Sequence, residues 1–369
     1  MKPSLPPIER LNGGEPIIAP SQNWWETGVT FNPAAVYLER SAENDLILRA
    51  LLPMFNPDDP RLAEGVVAVH YRARPEVDPG SAFARSFIGL TLFTPTLQPL
   101  YRYQEPVLSP GADPDSQDAL GVEDPRITRI GGLFYMVYCG VARDPLNEWS
   151  ASLCMARSAD LLHWEKMGRI GGLGPRNNKD GVLFPDPVNG RFYLLHRPFG
   201  GGLTQAQNVV RLAAASAVEG PYSDLGELFG AYTNPRVQYS WVGAGSVPIP
   251  MGGGRYAVIY HTGNALNDKD REYDLDAAVF DFDLLDPNRP AGAIRARLEH
   301  LMLPETPAEL RSHSALQVGN VLFACGSYEY RGEIYIVYGG ADTYTLAAKV
   351  SKAALFAALD RAGLENPFL

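Results

Sequence analysis

One form recurs along this chain: a turn containing Gly or Asn, then a β-branched and aromatic run that ends in polar residues. It appears as "GGLFYMVYCG" (131–140), "NGRFYLLHRP" (189–198), "GGRYAVIYHTG" (253–263) and "RGEIYIVYGGAD" (331–342), with a looser copy in "NDLILRALLP" (44–53). An extended segment opening on small or polar residues precedes each: "TFNPAAVYL" (30–38), "GVEDPRITRI" (121–130), "KDGVLFPDPV" (179–188), "VGAGSVPIP" (242–250) and "FACGSYEY" (323–330). A hairpin returning at intervals of roughly 60 to 90 residues fits propeller blades of four strands with long inserts. Five copies predict an all-β fold, a five-bladed β-propeller. It is read as one domain over 1–369, with 1–20 as an N-terminal extension and a short C-terminal helix over about 346–363, from "LAAKVSKAALFAALDRAG". The innermost strands of such a ring converge on one axial funnel. The polar openings Asn32, Asp124, Lys179 and Asp180 then face the same place.

Glu123 and Asp124 stand directly before a proline at the mouth of a core strand. Asp-Pro is common turn chemistry, but a carboxylate at the start of an inner strand is aimed into the funnel rather than at solvent. Composition narrows the partners. With 46% hydrophobic and 20% charged residues the chain readily supplies a packed core. A net charge of -10 argues against nucleic acid, whose binding rests on neutralising phosphates; it does not argue against a small anion, which responds to the local field. Cys139, Cys154 and Cys325 lack CxxC spacing and read as buried free thiols of a reducing compartment. The opening "MKPSLPPIERLNGG" has no apolar signal-like core, and no apolar run of about 18 residues occurs, so no membrane partner and a cytoplasmic location are expected. Six dispersed histidines without HExxH or HxH spacing, and no EF-hand, GxSxG or Walker pattern, predict no metal and no organic cofactor. The "GGG" runs at 200–202 and 252–254 read as blade turns.

"GVEDPRIT", "NKDGVLFPDPVNGRFYLLHRP", "SADLLHWE" and "YIVYGGAD" together resemble the signature segments of glycoside hydrolase family 130, over residues 16 to about 346. The resemblance implies a five-bladed propeller acting on β-mannosides by a single inverting displacement. In the family's phosphorylases, inorganic phosphate is the co-substrate and α-mannose 1-phosphate the product. It implies one catalytic aspartate, here Asp124, protonating the leaving oxygen through the sugar's 3-hydroxyl. This differs from the two flanking carboxylates of most inverting glycosidases, because phosphate is already an anionic nucleophile. Cations are needed instead, and the resemblance assigns Arg143, Lys179, His196 and Arg197 to phosphate, with Arg197 alternatively holding its own strand end. For the sugar it implies Asp342 and, by pattern, Asn32, Arg49, Arg126 and His261; Arg126 alternatively orients Asp124 or lowers its pKa.

Plainer readings stand beside these. Lys179–Asp180 reads also as a surface ion pair, His196 as a core histidine, and His261 as either structural or substrate-binding. His163 and Trp164 read as structural. Trp24 and Trp25 either stack on sugar or seal the ring. A hydrolase of the same family would need a carboxylate base, for which Asp180 and Glu329 are the candidates, and a third reading is a non-catalytic sugar-binding propeller. The acidic stretch before Asp124 and "NALNDKDREYDLDAAVFD" (264–281) depart from the family where the leaving sugar would bind. They leave acceptor and linkage open. The sequence sets no oligomeric state; the C-terminal helix and the Trp pair are surfaces a homo-oligomer would use.

Overall fold

The computed structural model describes residues 5–365, apart from 77–83, 145, 147, 175, 176, 201, 203, 205, 206, 233–235, 268, 269 and 313–317. Among the described residues, twenty-one strands form five antiparallel sheets. The first contains β2 (Val29–Leu38), β3 (Val66–Arg74), β4 (Phe87–Phe93) and β5 (Pro99–Arg102). The second contains β6 (Gly121–Ile130), β7 (Leu133–Arg143), β8 (Trp149–Ser158) and β9 (Glu165–Arg169). The third contains β10 (Asn177–Leu183), β11 (Phe192–Phe199), β12 (Val210–Ala215) and β13 (Ser223–Phe229). The fourth contains β14 (Tyr239–Ala244), β15 (Ile249–Gly252), β16 (Arg255–Ala265), β17 (Arg271–Asp281) and β18 (Ile294–Met302). The fifth contains β19 (Leu322–Tyr330), β20 (Glu333–Gly340) and β21 (Tyr344–Ser351), and β1 (Ile8–Arg10) adds to β21 as its outer strand. The N-terminus thereby closes the ring. Inner strands pack in sequence around the axis: β19 on β2, β2 on β6, β6 on β10 and β10 on β14.

The apolar core lies in five seams between blades rather than at the axis. Met136 and Tyr138 point into the seam between the first two blades, while Val137 and Tyr135 point into the next. Both faces of the sheet are covered, so these strands read as unbroken apolar runs rather than alternating ones. The seam between the last and first blades holds Trp25, stacked on Tyr71, so this tryptophan seals the ring; Trp24 remains exposed. Cys139, Cys154 and Cys325 are buried free thiols. The 252–254 run makes the turn from β15 to β16. Of the 200–202 run, Gly201 lies outside the described residues.

Two expected elements differ. "NDLILRALLP" is not a strand; its residues lie largely in helix α1 (Ala42–Leu51), whose first turn is capped by the Ser41 hydroxyl accepting from the Asn44 amide at 3.1 Å. Ile47, Leu48 and Leu51 bury one side of this insert. The second strand of the first blade is β3. Likewise Leu346–Val350 belongs to β21, alternating between the two seams beside it; the helix begins only at Lys352. That helix, here α3 (Lys352–Glu365; the four-residue α2 is Pro307–Leu310), buries Leu355, Ala358, Leu359 and Ala362 in the seam between the fourth and fifth blades.

Candidate active site

Three inner strands break register at the same place: β2 between Phe31 and Ala34, β6 between Glu123 and Arg126, and β10 between Lys179 and Val182. Within each bulge a left-handed residue turns its side chain toward the axis: Asn32 (φ 48°), Asp124 (φ 52°) and Asp180 (φ 55°). Asn and Asp tolerate this backbone better than other residues with a Cβ. The bulge therefore favours short polar side chains in a strand that is otherwise apolar. In the fourth blade Gly245 occupies the break after β14, where a Cβ would lie 2.5 Å from the Ile259 carbonyl oxygen. That blade offers main-chain carbonyls instead of a carboxylate.

Asp124 is buried and its Oδ1 accepts from Asn32 Nδ2 (2.8 Å) and Arg72 Nη1 (3.2 Å). The same guanidinium donates to Glu123 Oε1 at 2.5 Å, an oxygen that also accepts from Ser86 Oγ at 2.8 Å. Burial opposes ionisation of Asp124, but Arg72, Arg126 and the Asn32 amide outweigh it and hold the carboxyl below its usual range. Asp180 is fully buried and accepts from Arg197 Nε (2.6 Å) and Arg126 Nη2 (3.4 Å); burial again opposes charge, and Arg197 and His261 win, so Asp180 is held well below its usual range. Asp342, left-handed just after β20, makes no side-chain hydrogen bond among the described residues. Burial, only partly offset by Arg72, pushes its carboxyl up to about 6. Lys179 lies over the Phe199 ring at 5.2 Å, in the field of Asp180, Cys139 and Asp124, and has no ion-pair partner among the described residues. Burial and the neighbouring Arg197 lower its pKa. Arg74 stands two residues beyond Arg72 on the same face of β3, and its Nε is buried without a hydrogen bond.

The structure thus brings Asn32, Asp124, Lys179, Arg197 and Asp342 to one place. Arg126 is there too, but buried: its donors go to the carbonyls of Asp124, Ala244 and Gly245 and to Asp180. His261 is fully buried under Phe323 (ring centroids 4.1 Å apart), with Nε2 3.5 Å from Asp180; it too is a wall of the site rather than a surface. Arg49 is placed elsewhere, on α1, exposed and stacked on Phe55. His196 points from β11 to the face opposite Arg197, where its Nδ1 meets Asn178 Nδ2 at 2.9 Å and its Nε2 lies 3.7 Å from Asp224. Arg143 ends β7 on the exposed rim. His163 is exposed and paired with Asp160. The residues missed were Arg72 and Arg74. "VVAVHYRAR" carries the signal, since an apolar strand ending in two cations spaced by two puts both on one face.

Buried carboxylates, arginines and a lysine without an ion-pair partner among the described residues converge on the axis of a five-bladed β-propeller. Residues 66–361 match the family model described as beta-1,4-mannooligosaccharide phosphorylase, and the chain belongs to glycoside hydrolase family 130. A 1,2-beta-oligomannan phosphorylase of Thermoanaerobacter sp. (strain X514) is 27% identical over 91% of this chain and 94% of its own. A beta-1,2-mannobiose phosphorylase of the same organism is 29% identical over 94% and 97%. The fold matches the beta-1,2-mannobiose phosphorylase of Listeria innocua, solved with beta-1,2-mannobiose, at a TM-score of 0.69 and 18% identity, covering 96% of this chain and 99% of that one.

Proposed function

We propose that the protein is an inverting β-mannoside phosphorylase that transfers mannose from a β-mannoside to inorganic phosphate, giving α-mannose 1-phosphate and a shortened sugar. The observation that carries this is the imbalance of partners around Asp124. Among the described residues Lys179 has no protein anion of its own and Arg74 keeps a buried N–H unfilled, whereas both base candidates for a hydrolase are occupied. Asp180 is held by two arginines, and Glu329, exposed at the far end of β19, pairs with Lys352 at 2.6 Å. A planar guanidinium fork and a point charge suit phosphate oxygens.

Asp124 and Asp342 divide the remaining work. Asp342, with free acceptor oxygens, takes sugar hydroxyls. Asp124 supplies the proton to the leaving oxygen through a sugar hydroxyl as a phosphate oxygen attacks the anomeric carbon and the glycosidic bond breaks. In the unliganded site Arg72 and Arg126 keep Asp124 ionised, the form suited to the reverse, synthetic direction. A phosphate dianion arriving beside Lys179 adds a like charge, which raises the carboxyl's proton affinity. The acid is thus armed by its co-substrate, and water, being neutral, does not arm it. Both Thermoanaerobacter relatives support a β-1,2 linkage as the first to test. The test is incubation with β-1,2- and β-1,4-mannobiose with and without phosphate, measuring mannose 1-phosphate and free mannose separately. Mannose 1-phosphate that appears only with phosphate is expected; free mannose released equally without it overturns the reading.

A further inference from the structure

We infer that Asp180 is a positioning residue for Asp124, acting through Arg126, and that Gly243 is the spacer that seats it. The inference rests on Asp124 being the acid, as proposed above, and concerns three blades at once. Arg126 Nη1 donates to the main-chain carbonyl of Asp124 at 3.1 Å, while Nη2 donates to Asp180 at 3.4 Å and to the Ala244 carbonyl at 3.0 Å, and Nε reaches the Gly245 carbonyl at 3.3 Å. The carbonyl it holds belongs to the left-handed residue of the bulge, so the guanidinium fixes the peptide that aims the Asp124 side chain. A guanidinium that is 1% exposed needs a counter-charge. Asp180 supplies it and is itself held on the other side by Arg197 at 2.6 Å. The line runs from β14, through β10, to β6.

Gly243 sets the spacing. A Cβ at this position of β14 would lie 2.1 Å from Asp180 Oδ2 and 2.4 Å from His261 Nε2. Both neighbours are held in place, His261 packed against the Phe323 ring and Asp180 clasped by two arginines. Even alanine must displace the Oδ2 that Arg197 holds, or the His261 ring, and with it shift the carboxylate whose Oδ1 faces Arg126. This geometry gives a function to a residue otherwise read as a surface ion pair or a hydrolytic base.

The test compares Asp180→Asn and Gly243→Ala with wild type in the full-length protein. Val242→Ala, in the adjoining seam, reports the effect of a purely structural loss beside the same site. The readouts are kcat and KM on whichever mannoside the wild type cleaves, the pH–rate profile, and the thermal midpoint. Both site variants are expected to lose kcat by about 10- to 100-fold with a KM change of less than about threefold. Val242→Ala is expected to lower the midpoint and leave kcat unchanged. The pH profile separates positioning from folding. Asp124 is faced by Arg72, Arg126 and Lys179 and by Glu123, Asp180, Asp342 and the Cys139 and Cys325 thiols. Removing the Asp180 charge lowers the proton affinity of Asp124, so the alkaline limb of the forward reaction moves to lower pH. Unchanged kcat in Asp180→Asn, or a loss explained by unfolded protein with an unmoved pH limb, overturns the inference. The wild-type product decides between phosphorolysis and hydrolysis, whereas the variant-to-wild-type ratio decides the brace, since either reaction uses Asp124. Should wild type cleave none of the sugars, the Asp124 carboxyl carbon resonance in wild type and Gly243→Ala, which removes no charge, decides the brace instead: a moved resonance supports it and an unmoved one refutes it.

Discussion

Among the buried carboxylates of this ring, a pair at the axis and a pair in the fourth blade are treated by the fold in opposite ways. At the axis, Asp124 and Asp180 are both kept ionised despite burial, because guanidiniums reach each from two blades: Arg72 and Arg126 for the first, Arg126 and Arg197 for the second. In the fourth blade, Asp274 and Asp276 share one face of β17 and have, among the described residues, a single cation within ion-pair reach, His300, whose Nδ1 lies 2.5 Å from Asp274. Asp276 receives neutral donors, the Thr262 hydroxyl and, at 2.6 Å, the His300 amide. Arg297 is close, but it donates to the Tyr260 hydroxyl instead. Burial and the charge of Asp274 accordingly push Asp276 up to about 7. Burial is common to both groups, so it is not what sets the protonation state. The counter-charge within reach is: two guanidiniums hold each of Asp124 and Asp180, whereas Asp342, at the same axis but only partly offset by Arg72, is pushed up to about 6.

The contrast between the two groups is most open to attack at Asp124. Asp124→Asn keeps the shape and hydrogen-bond count but removes the proton donor, and a loss of about 10²- to 10⁴-fold in phosphorolysis rate is expected. Retained activity would show that the charged group at the axis is there for stability alone. Lys179→Met tests the other half of the axial arrangement. Loss of this cation should raise the KM for phosphate about 10- to 100-fold, with a much smaller change in the KM for sugar. An unchanged phosphate KM would mean that phosphate sits elsewhere.

How far the sequence revealed this follows from which features are local. Four hairpins were legible because a strand covered on both faces writes an unbroken apolar run. The first blade was not, since α1 separates β2 from β3 and "LILRALL" has the residues of either element; the Ser41 cap decides it. Asn32, Asp124 and Asp180 were legible as polar openings because the bulge itself selects Asn or Asp before Pro or Gly. Arg72 was not, because its approach to Asp124 depends on the register of β3 against β2 across that insert. His196 and Arg197 show the limit most sharply. They are adjacent in one motif, yet strand alternation sends one to Asn178 and Asp224 and the other to Asp180.

The smallest effect on turnover is expected in the other group of carboxylates. Asp276→Asn should leave kcat unchanged, because the blade-four cluster makes no contact with Asp124, Lys179 or Asp342 among the described residues. Its effect is on stability. The Asp276 carboxyl has a folded pKa of about 7, raised above the usual carboxylate value by burial and then by Asp274. Folding therefore favours its neutral form. Its contribution to stability is fully present below about pH 4 and is lost as the pH rises through about 7. An asparagine accepts from the His300 amide as the protonated acid does and carries no charge to penalise. The variant should match wild type near pH 4 and exceed it at pH 8 by an amount on the order of a few kcal/mol. Denaturant unfolding at the two pH values measures this directly. A variant less stable than wild type at pH 8 would show that Asp276 is held ionised after all, and that blade four satisfies its carboxylates as fully as the axis does.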